Sequence, residues 1–129
     1  MSEQDVETIR GGYENFNSGN PEGVLAILAD DVEWVEPGGG NSPSGTFRGP
    51  QSVGQDVFAA VPQNFDEFRA DPENFDDQGD TIVVTGRFKG KNKSGAELDA
   101  AFTHTYEMKD AKVAKLTNEV DEGWAAGWS

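Results

Sequence analysis

The sequence has no cysteine, which excludes disulfides and thiolate metal sites. It also lacks any run of ~18 apolar residues, so no transmembrane helix is predicted. Residues 1–10, MSEQDVETIR, have no basic segment followed by an apolar one; no signal peptide is expected, and the protein is read as cytoplasmic. Basic residues are scarce, with 10 Lys and Arg against 24 Asp and Glu and a net charge of −14. Such a surface repels nucleic acid and anionic membranes, so neither is an expected partner. The single histidine, His104, together with scattered acids falls short of the clusters that ligate transition metals, and no metal or cofactor is predicted. No calcium-loop pattern of the D-x-D-x-D-G type occurs. There is no G-x-S-x-G, and Gly38–Gly40 is not followed by Lys-Ser/Thr, so neither a serine nucleophile motif nor a phosphate-binding loop is present.

What is present begins with the acids themselves. They are spread along the whole chain, including residues 66–80, where seven acids accompany only Arg69. With few Lys and many Gly, the composition resembles that of salt-adapted haloarchaeal proteins, and a halophilic source is expected; net charge of this kind speaks to solubility rather than fold. At 129 residues the chain is read as one domain, 1–129, large enough to enclose a core or a modest pocket.

Val6, Ile9, Tyr13 and Phe16 recur at helical spacing and predict a helix over Glu3–Asn17 with one buried stripe. Gly11 and Gly12 within it suggest close packing. Asn17–Asn20 is a stop with Gly19 as a left-handed cap. Pro21 opens a second helix, with Val24, Leu25, Ile27 and Leu28 facing inward. A strand follows at Val32–Glu36. Alternation there puts Val32, Trp34 and Glu36 on one face, and a carboxylate on an apolar face is costly unless it has a use or a partner. Pro37–Gly45 reads as a flexible loop suited to a pocket mouth. Gly49–Ala60 is a third predicted helix, ended by Pro62. The clearest hairpin joins Thr81–Lys89 to Leu98–Met108 through a turn at Gly90–Gly95. A short turn at Lys109–Ala111 leads to a last strand, Lys112–Val120. The first strand after Phe65 is expected to break at Asp71-Pro72. Trp124 and Trp128 in the tail are expected to close one end of the molecule.

Counting from the hairpin turn pairs Arg87 with Asp99 and Lys89 with Glu97 across one face, where opposite charges favour the register. Ile82, Val84, Phe88, Leu98, Phe102, Tyr106 and Met108 line the other face, and His104 lies among them. Helices covering the apolar face of a curved antiparallel sheet make an α+β layer arrangement.

Three segments carry a family resemblance: Tyr13–Pro37, then Ser44-Gly-Thr-Phe-Arg-Gly49, then Phe102-Thr-His-Thr-Tyr-Glu-Met108. Together they resemble the ketosteroid-isomerase and SnoaL-like members of the nuclear transport factor 2-like superfamily. The resemblance implies a conical barrel, a curved antiparallel sheet wrapped around three N-terminal helices with an internal pocket, usually dimeric through the sheet. In ketosteroid isomerases the general base is an Asp that ends the first strand before Pro; Glu36 stands at that position. The isomerase's protonated Asp in the oxyanion hole falls on His104 if the following turn is one residue shorter here, and on Thr103 in an ungapped match; His104 shares the apolar face. The isomerase Tyr of the first helix falls on Gly12, with Tyr13 one residue away. In SnoaL-like cyclases an Asp lies six residues after the basic residue that opens the last strand. Counted from Lys112, that position is Asn118, with Asp121 a substitute only if the strand bulges.

Glu36 and His104 are therefore the expected catalytic pair. Tyr13, Trp34, Phe47, Phe58, Phe102, Tyr106 and Asn118 are the expected walls and polar contacts of a small apolar ligand. Two functions are carried forward. One is cofactor-free isomerisation or cyclisation of a small carbonyl compound, with Glu36 moving a proton and His104 holding the enolate oxygen. The other is a non-catalytic ligand-binding or dimerisation domain on the same scaffold.

Overall fold

The computed structural model describes residues 2–129. Helix α1 (Ser2–Asn17) buries Ile9 and Tyr13, as its apolar stripe predicts. It ends in a Schellman turn: Gly19 takes φ +82°, and the amides of Asn20 and Gly19 donate to the carbonyls of Asn15 and Phe16. Of its two glycines only Gly12 is crowded, a Cβ there lying 3.0 Å from Ile27 Cδ1, whereas Gly11 faces open space. Helix α2 (Pro21–Leu25) starts with Pro at its first turn. Strand β1 (Leu28–Pro37) then buries Val32, Trp34 and Glu36 on one face.

The segment read as a loop through Gly45 contains a further strand. Strand β2 (Ser44–Arg48) returns antiparallel to β1, pairing Phe47 with Trp34 and Gly45 with Glu36. It is a short, mostly exposed edge strand, so it has no alternation to betray it. The third helical region is longer than expected. Helix α3 (Pro50–Ser52), a π-helical stretch (Val53–Phe58) and helix α4 (Ala60–Asn64) follow one another. Pro62 does not end this region, because it sits in the first turn of α4, where a backbone N–H has no helical partner to lose.

The six strands form one open, curved sheet ordered β2-β1-β6-β5-β4-β3. Strands β3 (Phe65–Asp77), β4 (Thr81–Asn92), β5 (Glu97–Lys109) and β6 (Lys112–Val120) make an antiparallel meander. Strand β1 joins β6 in parallel, the one parallel pair among the described residues. Pro72 does not break β3: the register shifts between Pro72 and Asn74, and the strand continues at the sheet edge.

The hairpin register differs from the sequence count. Lys89 pairs with Asp99 and Lys91 with Glu97, because the turn is tighter than Gly90–Gly95. Asn92 builds it: its Oδ1 accepts from the amides of Ser94 and Ala96, and Gly95 takes φ +90°. The faces are unchanged by this even shift. Arg87 reaches Asp99 diagonally instead, Nε to Oδ1 at 2.8 Å. The inward face of the meander, from Ile82 and Val84 through Phe102 to Leu116, is buried beneath the helices. The short helix α5 (Gly123–Gly127) closes one end with buried Trp124 and Trp128.

Candidate functional site

Glu36 comes inward because strand alternation carries it there with Val32 and Trp34, and it is only 7% exposed. Both carboxyl oxygens are occupied. Trp34 Nε1 donates to Oε2 at 2.6 Å, and Asn118 Nδ2 donates to Oε1 at 3.1 Å. Burial pushes the Glu36 carboxyl up to about 7, and the Asn118 and Trp34 hydrogen bonds offset only part of that rise. Arg48 does not neutralise it: that guanidinium pairs with Glu33, at 3.0 Å.

Asn118 reaches Glu36 because of a bulge. The register of β5 and β6 shifts between Glu107 and Met108, so the buried positions of β6 run Val113, Leu116 and Asn118 rather than along strict alternation. Asp121 stays outside. Its carboxylate accepts from the amides of Ala101 and Gly123 and serves the strand end and the start of α5.

His104 lies directly across the ladder from Asn118 and is 5% exposed. Tyr106 donates its hydroxyl proton to Tyr13 at 2.9 Å; the Tyr13 hydroxyl proton is then left to donate to His104 Nδ1, 2.6 Å away. Burial raises the pKa of both tyrosines, so they remain donors. Burial also drops the His104 imidazole to about 3, an effect that hydrogen bonding with the Asn118 side chain offsets in small part. The ring is therefore neutral at physiological pH, and with Nδ1 accepting, its proton sits on Nε2. By strict distance and angle neither that Nε2 nor Asn118 Oδ1 has a hydrogen-bond partner among the described residues, but the two side chains face each other across the ladder and interact weakly.

These groups face a cavity of about 80 Å³, room for about three water molecules. Tyr13, Trp34, Glu36, Phe58, His104, Tyr106 and Asn118 all line it. Two expected wall residues do not. Phe47, on β2, packs against the core as a partly buried residue. Phe102 stacks behind His104, ring centroids 4.0 Å apart and 16° from parallel, and so supports the imidazole rather than the cavity surface. The walls also include residues that sequence reading did not select, among them Phe68 and Phe88, while Trp124 and Trp128, expected only as a lid, face the cavity too. No cluster of three or more His, Cys, Asp or Glu suited to a metal occurs among the described residues. No helix among them is long and apolar enough to cross a membrane.

Comparison with known proteins agrees with this architecture. The SnoaL-like domain model matches residues 9–116. A search of curated proteins finds no match. Among solved structures, a nuclear transport factor 2-like protein of unknown function from Burkholderia pseudomallei is similar at 28% identity and a TM-score of 0.83, over 92% of this chain and 91% of that one. TerC, co-crystallised with polyporic acid, is similar at 29% identity and a TM-score of 0.82, over 92% of both chains. A protein from a soil-derived mobile gene cassette shares the fold at 22% identity and a TM-score of 0.88, over 99% of this chain and 98% of that one.

Proposed function

Since this chain belongs to the SnoaL-like domain family, we propose that its cavity takes a small, largely apolar carbonyl compound and moves a proton on it without a cofactor. The observation that carries this reading is Glu36, a carboxyl buried in an aromatic cavity and pushed up to about 7. A base with that pKa is half ionised at neutral pH and strong enough to take a proton α to a carbonyl. Its two hydrogen bonds orient it and leave further lone pairs to accept the proton.

The electron pair released by the C–H bond moves to the carbonyl oxygen, forming an enolate. His104 Nε2–H, a donor without a protein partner, is suited to hold that oxygen. A neutral imidazole donates without adding a full charge, so the base beside it is not held ionised by a cation. Tyr13 and Tyr106 position the ring and fix its tautomer. Glu36, now protonated, returns the proton to the same carbon or to a conjugated one, giving exchange or isomerisation.

The likeness to TerC, which was co-crystallised with polyporic acid, supports small-ligand binding in this scaffold. The pairing of both Glu36 oxygens within the protein supports the second reading, a binding domain without turnover. We place a homodimer contact on the outer face of the sheet, where half-buried Val83, Ala101, Thr103, Thr105 and Thr117 form a surface of small and β-branched side chains.

Exchange of the α-protons of 1-indanone in deuterated buffer, followed by NMR, separates the two functions. The catalytic reading expects acceleration by the native protein and a loss of at least about 100-fold in Glu36→Gln. No acceleration by the native protein would leave binding alone.

A further inference from the structure

The chain has three tryptophans, and two of their indole N–H groups are satisfied. Trp34 donates to Glu36, and Trp124 donates to Ser42 Oγ at 3.1 Å. Trp128 is 2% exposed, yet its Nε1 has no partner among the described residues. A buried indole N–H ordinarily finds an acceptor. None is offered by the rings around it, Phe65 at 4.8 Å, Trp124 at 5.3 Å and Phe68 at 6.1 Å between centroids. The buried ring is packed between these aromatic neighbours, and its backbone is tied down as well: Trp128 O accepts from the Asn41 amide at 2.9 Å, and Trp128 N donates to Trp124 O and Ala125 O at 3.2 Å. Trp128 lines the same cavity as Glu36 and His104.

We infer that Trp128 Nε1–H is a second ligand anchor in this cavity, and that the ligand carries a hydrogen-bond acceptor on the wall formed by α5 as well as an oxygen at His104 and Asn118. This rests on the small-molecule reading above and narrows it to a class. The oxygen at the β5–β6 wall meets a donor, His104 Nε2–H, and an acceptor, Asn118 Oδ1, which face each other without a close hydrogen bond between them. A hydroxyl or enol fits both, since it accepts and donates at once. The oxygen at Trp128 meets a donor only, so a carbonyl fits there. No Lys or Arg lines the cavity, and a carboxylate or phosphate would be buried unpaired beside Glu36. The ligand is thus neutral. The aromatic rings that wall the cavity suit a flat ring bearing a hydroxyl and, across it, a carbonyl.

The test compares 4-hydroxyacetophenone with 4-ethylphenol, which keeps the ring and hydroxyl but replaces the carbonyl by a methylene. In the native protein, the indole N–H resonance of Trp128 is expected to move downfield with the ketone and not with the ethylphenol, and the ketone to bind about tenfold more tightly, the worth of one buried hydrogen bond. Trp128→Phe keeps an aromatic ring and should reduce that preference to about unity. Equal shifts with the two compounds, a preference that survives in Trp128→Phe, or no binding of either compound would overturn the inference. The shift measurement uses the native protein alone, so it stands even if Trp128→Phe folds poorly. Preferential ketone binding without α-proton exchange on 1-indanone would defeat the catalytic reading and leave this anchor in place; exchange without the Trp128 shift would do the reverse.

Discussion

Replacing Glu36 by Gln should make the protein more stable at alkaline pH and leave it nearly unchanged at acid pH. The Glu36 carboxyl rises from 4.5 to about 7 on folding, chiefly through burial. Between those values the folded state keeps a proton that the unfolded chain has released. Its contribution to stability is therefore fully present below pH ~4.5 and is lost as pH rises through ~7. At about 1.4 kcal/mol per pH unit, the difference between the two proteins changes by up to about 3 kcal/mol across this window. For a chain of 129 residues that corresponds to a melting-temperature difference of about 10 °C. Glutamine is close in shape and still accepts from Trp34 Nε1; Asn118 need only flip its amide to receive the new NH2 group. His104 is present in both proteins, so its own titration cancels to first order. Thermal unfolding followed by circular dichroism from pH 4.5 to 8.5 at constant ionic strength gives the difference directly. A gap that stays constant within ~2 °C over that range would refute the claim that a buried, weakly acidic carboxyl titrates here.

Four further outcomes follow from particular contacts. The His104 ring, lowered to about 3 by burial, should keep its Nε2–H tautomer from pH 7.5 to 5 in long-range proton–nitrogen NMR; a midpoint near 6.5 would contradict the structure. Because its folded pKa is depressed, His104 destabilises the folded state only as pH falls from ~6.5 toward ~3, where the unfolded chain takes up the proton first. Tyr13→Phe leaves His104 Nδ1 and the Tyr106 hydroxyl without partners and should cost about 1–3 kcal/mol in urea unfolding, with a second imidazole tautomer appearing in the NMR spectrum. Gly40→Ala should loosen α5, since Gly40 holds φ +58° and a Cβ there lies 2.9 Å from both Ala125 O and Trp128 O; faster hydrogen exchange at residues 124–128 is the readout. With a net charge of −14, the melting temperature should climb as KCl is raised toward molar concentrations and repulsion is screened.

The parts of the site legible from sequence are those governed by a single strand's alternation. Val32, Trp34 and Glu36 share a face because every second residue must, and His104 shares one with Tyr106 for the same reason. What escaped reading depends on interactions between segments. Asn92 shortens the β4–β5 turn by capping it, and so moves the register by two residues without altering the faces. The family resemblance selects Asn118, but the bulge opposite Glu107 and Met108 that turns it inward is invisible in the spacing of β6 itself. The bond from Tyr13 to His104 joins a helix stripe to a strand face, and only their packing reveals it. Strand β2 was missed because an exposed five-residue edge carries no periodic signal. The tail position of Trp128 predicts a lid; its unpartnered nitrogen appears only once every neighbour is known.

The central claim is that Glu36 is a working base in this cavity. Its most direct measurement is the pH dependence of α-proton exchange in 1-indanone. The rate is expected to fall about tenfold per pH unit below ~7 and to level off above it, following the ionisation of Glu36 and vanishing in Glu36→Gln. A rate that ignores pH between 5 and 9, or one unchanged in Glu36→Gln, would contradict it.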